Sequence, residues 1–328
     1  MPQIKLSGVG MHSGLVSNIV VKPTKSGGIL FVKNGVEIPA KYDNVSATFL
    51  RNTTIGRKPN QVQTIEHLMA ALFVCRIKNA EIRIDNDETP ILDGSAREFI
   101  KALKIVKPTG KMAYLRLKKE IIVRQSEIAL PLWLRFFNFI KGKKPDGFVK
   151  LSPVKGNRLE ITAELNYKMP VIGRQKYGFV FDYDNFPKSV SEFVKNVAMT
   201  RTFGTEAEWE FLKKRGMGKG ANGENVLAIN REGTDTLNDM FHADPAAKKR
   251  ILEEYGYLLP NGKKIVKKYF KDEFVRHKII DSVGDLYTSG FFIVGKMEIY
   301  KGGHALNNLV LKKLFADSSN YDIMDCVE

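Results

Sequence analysis

The chain has 328 residues, 43% of them hydrophobic, which is enough to bury a real core and to form two domains. Its formal charge of +16 implies an anionic partner. The excess lysines are spread along the chain without interleaved aromatics, which argues against nucleic acid and for a phosphorylated substrate or an anionic surface. Only Cys75 and Cys326 occur, with no CxxC pair, so a disulfide scaffold is excluded and a reducing, cytoplasmic setting is expected. No secretory leader is visible, and no apolar run is long enough to span a bilayer.

The first third alternates short β-like runs with turns: residues 17–21, 28–32 after a Gly-Gly turn, and 36–39 after an Asn-Gly turn. A helix follows over IEHLMAALF, with Thr64 as its expected N-cap and Ile65, Leu68, Met69 and Leu72 as its apolar stripe. His67 points away from that stripe. Residues 80–84 read as a strand. Ser95 and Glu98 then form an S-x-x-E box opening a second helix through Leu103.

The loop signal Lys107-Pro108-Thr109-Gly110 separates two domains, 1–112 and 113–328. Strands are expected around 114–124, 158–165, 177–181, 225–229 and 291–300. Helices are expected from Ser189 or Ser191 to Met199, over 206–215, and over 308–315. Both parts run from strands to helices, which suggests a structural duplication without a sequence repeat.

The densest chemistry lies in HKIIDSVGDLY, residues 277–287. On a helix, His277, Asp281, Gly284 and Asp285 share one face, and Val275, Ile279, Val283 and Leu286 cluster on the other. An imidazole and a carboxylate one turn apart can bind one metal ion. A solvated polar face with a satisfied histidine has the same pattern. Five histidines occur: His12, His67, His242, His277 and His304. A hydrolytic metal site needs about three protein ligands and an open position, which His67, His277 and Asp281 could supply from two helices. Glu66, beside His67, could serve as a base without being a ligand. His304, in the glycine-flanked stretch KGGHALNN, is read as a loop side chain presented to a cleft, with Asp285 able to keep it protonated.

In order along the chain, TIEHLMAAL, DGSA, RTFG, HKIIDSVGDLY and GHALNN, with GVGMHSG near the start, resemble the UDP-3-O-acyl-N-acetylglucosamine deacetylase family. These are zinc amidases of lipid A synthesis. The resemblance spans about residues 5–315. It implies an α+β fold of two similar domains, each a helix layer on a sheet, in a β-α-α-β sandwich with the active site at the junction. It implies one Zn2+ per chain on His67, His277 and Asp281, although a His2Asp set also accepts Fe2+. Glu66 is then the general base, His304 the acid, Thr202 the oxyanion donor and Asp285 the partner of His304. Lys278 meets substrate charge, and Phe203 lines the acyl passage. The implied substrate is a UDP-linked acylated amino sugar, losing acetate. Nothing in the sequence suggests an obligate dimer, and a monomer is expected.

Two stretches depart from the family pattern. Residues 128–147, rich in Trp, Phe and Lys, suit either a peripheral contact with the inner membrane or an aromatic flap on the second domain. Residues 234–264 lengthen the link into the helix of His277; His242, inside them, is read as a surface residue. Two other classes are weighed: a metallohydrolase acting on another acyl-amine, and a basic binding protein with a lost site. The second needs a broken ligand set, and here the set is complete.

Overall fold

A computed structural model of the chain describes residues 3–47, 51–105, 107–108, 112–128, 147–169, 171–229, 256–258, 264–266 and 268–325. Residues 129–146 of the aromatic stretch expected at 128–147 and most of 234–264, His242 included, lie outside these residues. The fold is α+β.

The N-terminal part carries strands β1 (Ile4–Val9), β2 (Val16–Pro23), β3 (Ile29–Lys33), β4 (Val36–Pro39), β5 (Val45–Ala47), β6 (Thr54–Arg57) and β7 (Asn60–Val62). Helix α1 (Glu66–Val74), β8 (Ala80–Ile84) and α2 (Arg97–Leu103) follow. Strand order β1-β2-β8-β3-β4 makes a five-stranded sheet, and β5-β6-β7 a small separate one. The alternation in β2 is written in its burial: Ile19 and Val21 are fully buried and their neighbours are not.

The remainder carries β9 (Ala113–Leu117), β10 (Ile121–Arg124), β11 (Phe148–Ser152), β12 (Arg158–Asn166) and β13 (Arg174–Asp182), then α3 (Phe186–Asn196), β14 (Thr202–Thr205), α4 (Glu206–Lys213) and β15 (Val226–Ile229). After the short pair β16 (Gly256–Leu258) and β17 (Lys264–Val266) come α5 (Glu273–Tyr287), β18 (Phe292–Tyr300), α6 (His304–Phe315) and β19 (Tyr321–Asp325). A seven-stranded sheet runs β10-β11-β18-β12-β13, with β9 on β18 and β19 on β9.

Helix α5 packs on β12 and β13 on one side and against α1 on the other, and α1 packs on α2. The two central helices therefore lie face to face. This decides between the two readings that the pattern of α5 leaves open. The polar side of α5 is no solvated face: His277, Asp281 and Asp285 are as buried as Ile279 and Val283, because α1 covers them.

Three local expectations shift as well. Thr64 is not the cap of α1. It sits at φ +60°, and its hydroxyl, donated to Glu88 and accepting from Asn52, is engaged outside the helix. The serine at 95 acts one residue earlier than an N-cap: its Oγ accepts from the N–H of Arg97, and α2 starts there. His304 is the first residue of α6 rather than part of a loop; the glycines stop short of it.

Candidate metal centre and active site

Every chemical group foreseen at the centre of the sequence is brought to one place. Glu66 and His67 open α1, where all nine residues are buried. His277, Asp281 and Asp285 follow one another at four-residue intervals down α5, and His304 enters from the start of α6.

His67 Nε2 lies 3.3 Å from His277 Nε2, and Asp281 Oδ1 stands 3.6 Å from the first and 3.2 Å from the second. Tetrahedral coordination at about 2.0–2.1 Å places ligand atoms roughly 3.3 Å apart. The triangle has that size. The chemistry of the donors agrees with its dimensions. His277 Nδ1 donates to the carbonyl of Thr200 at 2.9 Å, which leaves the Nε2 lone pair facing the other two groups. Burial lowers the His67 pKa, against the pull of Asp281, and favours its neutral, ligating form. Burial would raise Asp281, but Lys278 and His277 outweigh it and hold the carboxylate well below its ordinary range. The carboxylate is divided: Oδ2 accepts from Lys278 Nζ at 2.7 Å, and Oδ1 is left for the triangle. Three buried donors with lone pairs pointed at one another suit a divalent cation.

Beside the triangle, Glu66 Oε2 accepts from the N–H of Thr53 at 3.0 Å, and Oε1 stands 3.8 Å from His304 Nε2. His304 Nδ1 lies 2.8 Å from Asp285 Oδ2, which also accepts from Asn307 Nδ2 at 2.8 Å. The hydroxyl of Thr53 donates to Asp285 Oδ1 at 2.6 Å. The ring nitrogen held by Asp285 is thus the outer one, and Nε2 faces the cleft. Burial raises the carboxyl of Glu66 to about 7, with the His304 cation opposing. Burial alone would lower His304, but Asp285 and then Glu66 lift it to about 9.

A cleft opens over these groups, lined by Glu66, His67, Asp281 and His304, and also by Thr202, Phe203 and Lys278. Thr202 starts β14. The Phe203 ring packs edge-on against Phe274 at 4.9 Å and lies 5.4 Å from Lys278 Nζ. Asp285 stands behind His304 rather than in the cleft wall.

Three residues escaped the sequence reading. Thr53 ties Glu66 to Asp285, and Asn307 braces Asp285; neither carries a spacing that singles it out. His12 lines the cleft, and among the described residues neither of its ring nitrogens has a partner. The GVGMHSG stretch was its only signal. Its backbone N–H, with that of Ser13, is gripped by the buried carboxylate of Glu88 at 2.9–3.0 Å.

An α+β scaffold with a His2Asp donor set, an adjacent carboxylate and a charged histidine defines a hydrolase equipped to hold a metal. The family model for UDP-3-O-acyl N-acetylglycosamine deacetylase matches residues 2–270 and 261–316. A protein of Shewanella sediminis (strain HAW-EB3) named UDP-3-O-acyl-N-acetylglucosamine deacetylase is 32% identical over 326 residues, covering 98% of this chain and 90% of the relative. One of the same name from Aliarcobacter butzleri (strain RM4018) is 32% identical over 331 residues, covering 99% and 91%. The chain belongs to the UDP-3-O-acyl N-acetylglycosamine deacetylase family, and as a member it is a deacetylase of a UDP-linked acylated amino sugar, the step used in lipid A biosynthesis. No helix among the described residues is long and apolar enough to cross a membrane.

Proposed function

We propose that this site releases acetate from the 2-acetamido group of UDP-3-O-acyl-N-acetylglucosamine, with Zn2+ held by His67, His277 and Asp281. The observation that carries the reading is the convergence of two imidazole nitrogens and one carboxylate oxygen within 4.8 Å of one another, all buried. A divalent cation there supplies Lewis acidity toward the amide carbonyl and toward water.

Glu66 takes the proton of the attacking water; its pKa near 7 suits it to receive a proton at neutral pH. The Thr202 hydroxyl and the His304 cation meet the charge developing on the carbonyl oxygen. His304 then delivers its Nε2 proton to the departing amine, and Asp285 keeps that ring charged and aimed. Lys278, already paired with Asp281, offers positive charge to the substrate's phosphates, and Phe203 gives the acyl chain an apolar wall.

The chain divides, in this reading, into domains 1–112 and 113–328, with the site between them. The enzyme is a monomer in the cytoplasm, and residues 128–147 touch the inner membrane from outside its core. Cosedimentation with liposomes after deletion of 128–147 tests that contact, and mass in solution tests the monomer. For the central claim, metal-stripped protein is reloaded with zinc and acetate release is measured. Zinc-dependent release supports it; equal release by the stripped protein overturns it.

A further inference from the structure

We propose that Arg201 and Glu273 are positioning residues, holding residues 200–202 as a strut that serves His277 and Thr202 together. This rests on the function proposed above.

Glu273 lies in the first turn of α5 and is completely buried; Arg201 is 3% exposed. Oε1 of Glu273 accepts from the N–H of Arg201 at 3.0 Å and from its Nε at 3.1 Å. Oε2 accepts from Arg201 Nη2 at 3.4 Å and from the N–H of Tyr269 at 2.7 Å. The guanidinium also lies 4.7 Å from the centre of the Tyr269 ring.

One turn further along α5, His277 Nδ1 donates to the carbonyl of Thr200. The C=O of Thr200 and the N–H of Arg201 belong to one peptide group. That plane is therefore pinned at both ends by two side chains four residues apart on one helix. Downstream, the N–H of Thr202 donates to the carbonyl of Gly94 at 2.8 Å, which fixes the start of β14. Upstream, the Thr200 hydroxyl donates to the carbonyl of Val197 at 2.7 Å.

The carbonyl of Thr200 selects the His277 tautomer that leaves Nε2 unprotonated. If the plane turns, that acceptor is withdrawn, and the tautomer protonated on Nε2 becomes accessible. That form cannot ligate. The same turn moves the residue that bears the Thr202 hydroxyl. Neither Arg201 nor Glu273 is among the residues that line the cleft, so their effect on the chemistry passes through His277 and Thr202.

Glu273→Gln removes the charge and sets an amide donor against the donors of Arg201. In metal-free protein, histidine 15N NMR reads the His277 tautomer. Competition with a chelator reads metal affinity, and steady-state kinetics separate kcat from KM. E273Q is expected to lose the pure Nδ1–H signature, to bind metal about 10-fold or more weakly, and to lose kcat with KM unchanged. R201K, which keeps the backbone donation to Glu273, is expected to retain the tautomer. A folded E273Q with the wild-type 15N pattern and metal affinity overturns the proposal. Should E273Q not fold, R201M/E273L decides, since a buried ion pair can be replaced by apolar residues of similar volume. Folded R201M/E273L protein with the native tautomer and affinity overturns it; folded protein with both lost supports it. Failure of the functional reading appears differently, as wild-type protein without zinc-dependent acetate release.

Discussion

A Cβ placed on Gly284 would stand 1.9 Å from the carbonyl oxygen of Glu66. Helices α1 and α5 thus cross backbone against backbone, at the residue that precedes the first candidate ligand. No rotamer change relieves such a clash, because the obstacle is main chain. Gly284→Ala is expected to separate the helices, weaken the convergence of His67 on His277 and Asp281, and cost roughly 1–3 kcal/mol of stability. Metal content and thermal unfolding check this together. A G284A protein with full zinc occupancy and an unchanged melting temperature would show that the close approach is dispensable.

Glu66→Gln separates holding the metal from using it. Glu66 points to Thr53 and His304 and contributes nothing to the ligand triangle. The glutamine keeps the shape and can still accept from the N–H of Thr53. Zinc stoichiometry should stay at wild-type level, while kcat falls by about 10²–10⁴-fold, the usual contribution of a general base. Turnover near the wild-type rate in zinc-loaded E66Q would remove Glu66 from the proton transfer.

The two shifted groups set a pH window. Glu66 must have lost its proton to accept one, so activity rises as pH climbs through about 7. His304 must carry its proton to give one away, so activity is lost as pH climbs through about 9. The expected kcat/KM profile is a bell between these limits, with each limb belonging to the coupled pair. Asp285→Asn removes the carboxylate that offsets the burial of His304. Both its attraction and its hydrogen bond to the ring are lost, leaving Glu66 and Asp281 to oppose burial, and the descending limb moves to lower pH. A D285N profile superimposable on the wild type would mean that Asp285 does not hold the charge on His304.

The candidate groups were legible because helical spacing writes them into adjacent turns: His277, Asp281 and Asp285 at successive fours, and Glu66 next to His67. What could not be read is whatever depends on a neighbour far along the chain. Thr53 is one threonine in a loop until Glu66 and Asp285 reach it from two helices. Thr64 looks like a cap until Glu88, far along the chain, takes its hydroxyl. The polar face of α5 looks solvated because its own periodicity cannot say that α1 covers it. The same limit hid Arg201 and Glu273, since the pairing of their charges is purely tertiary.

Phe73 offers a perturbation of the scaffold that leaves the chemistry alone. It is the last residue but one of α1, six residues on from the candidate ligand His67. Its ring stacks on Phe292 of β18 at 4.6 Å and meets Phe181 of β13 edge-on at 5.0 Å, with Tyr287 of α5 at 5.4 Å and Phe186 of α3 at 5.9 Å. An N-terminal helix is thereby embedded in the aromatic core over the seven-stranded sheet. Truncation leaves a cavity that four rings from separate elements cannot readily fill, so Phe73→Ala is expected to cost about 3–5 kcal/mol. No polar group of the site contacts this ring, so zinc-loaded F73A that remains folded should keep its kcat and pH profile. Thermal unfolding followed by calorimetry, with kinetics well below the transition, checks both halves. If the melting temperature holds, the aromatic cluster does not bind α1 to the sheet. If kcat falls as steeply as in E66Q, the placement of the site depends on this core more directly than the contacts indicate.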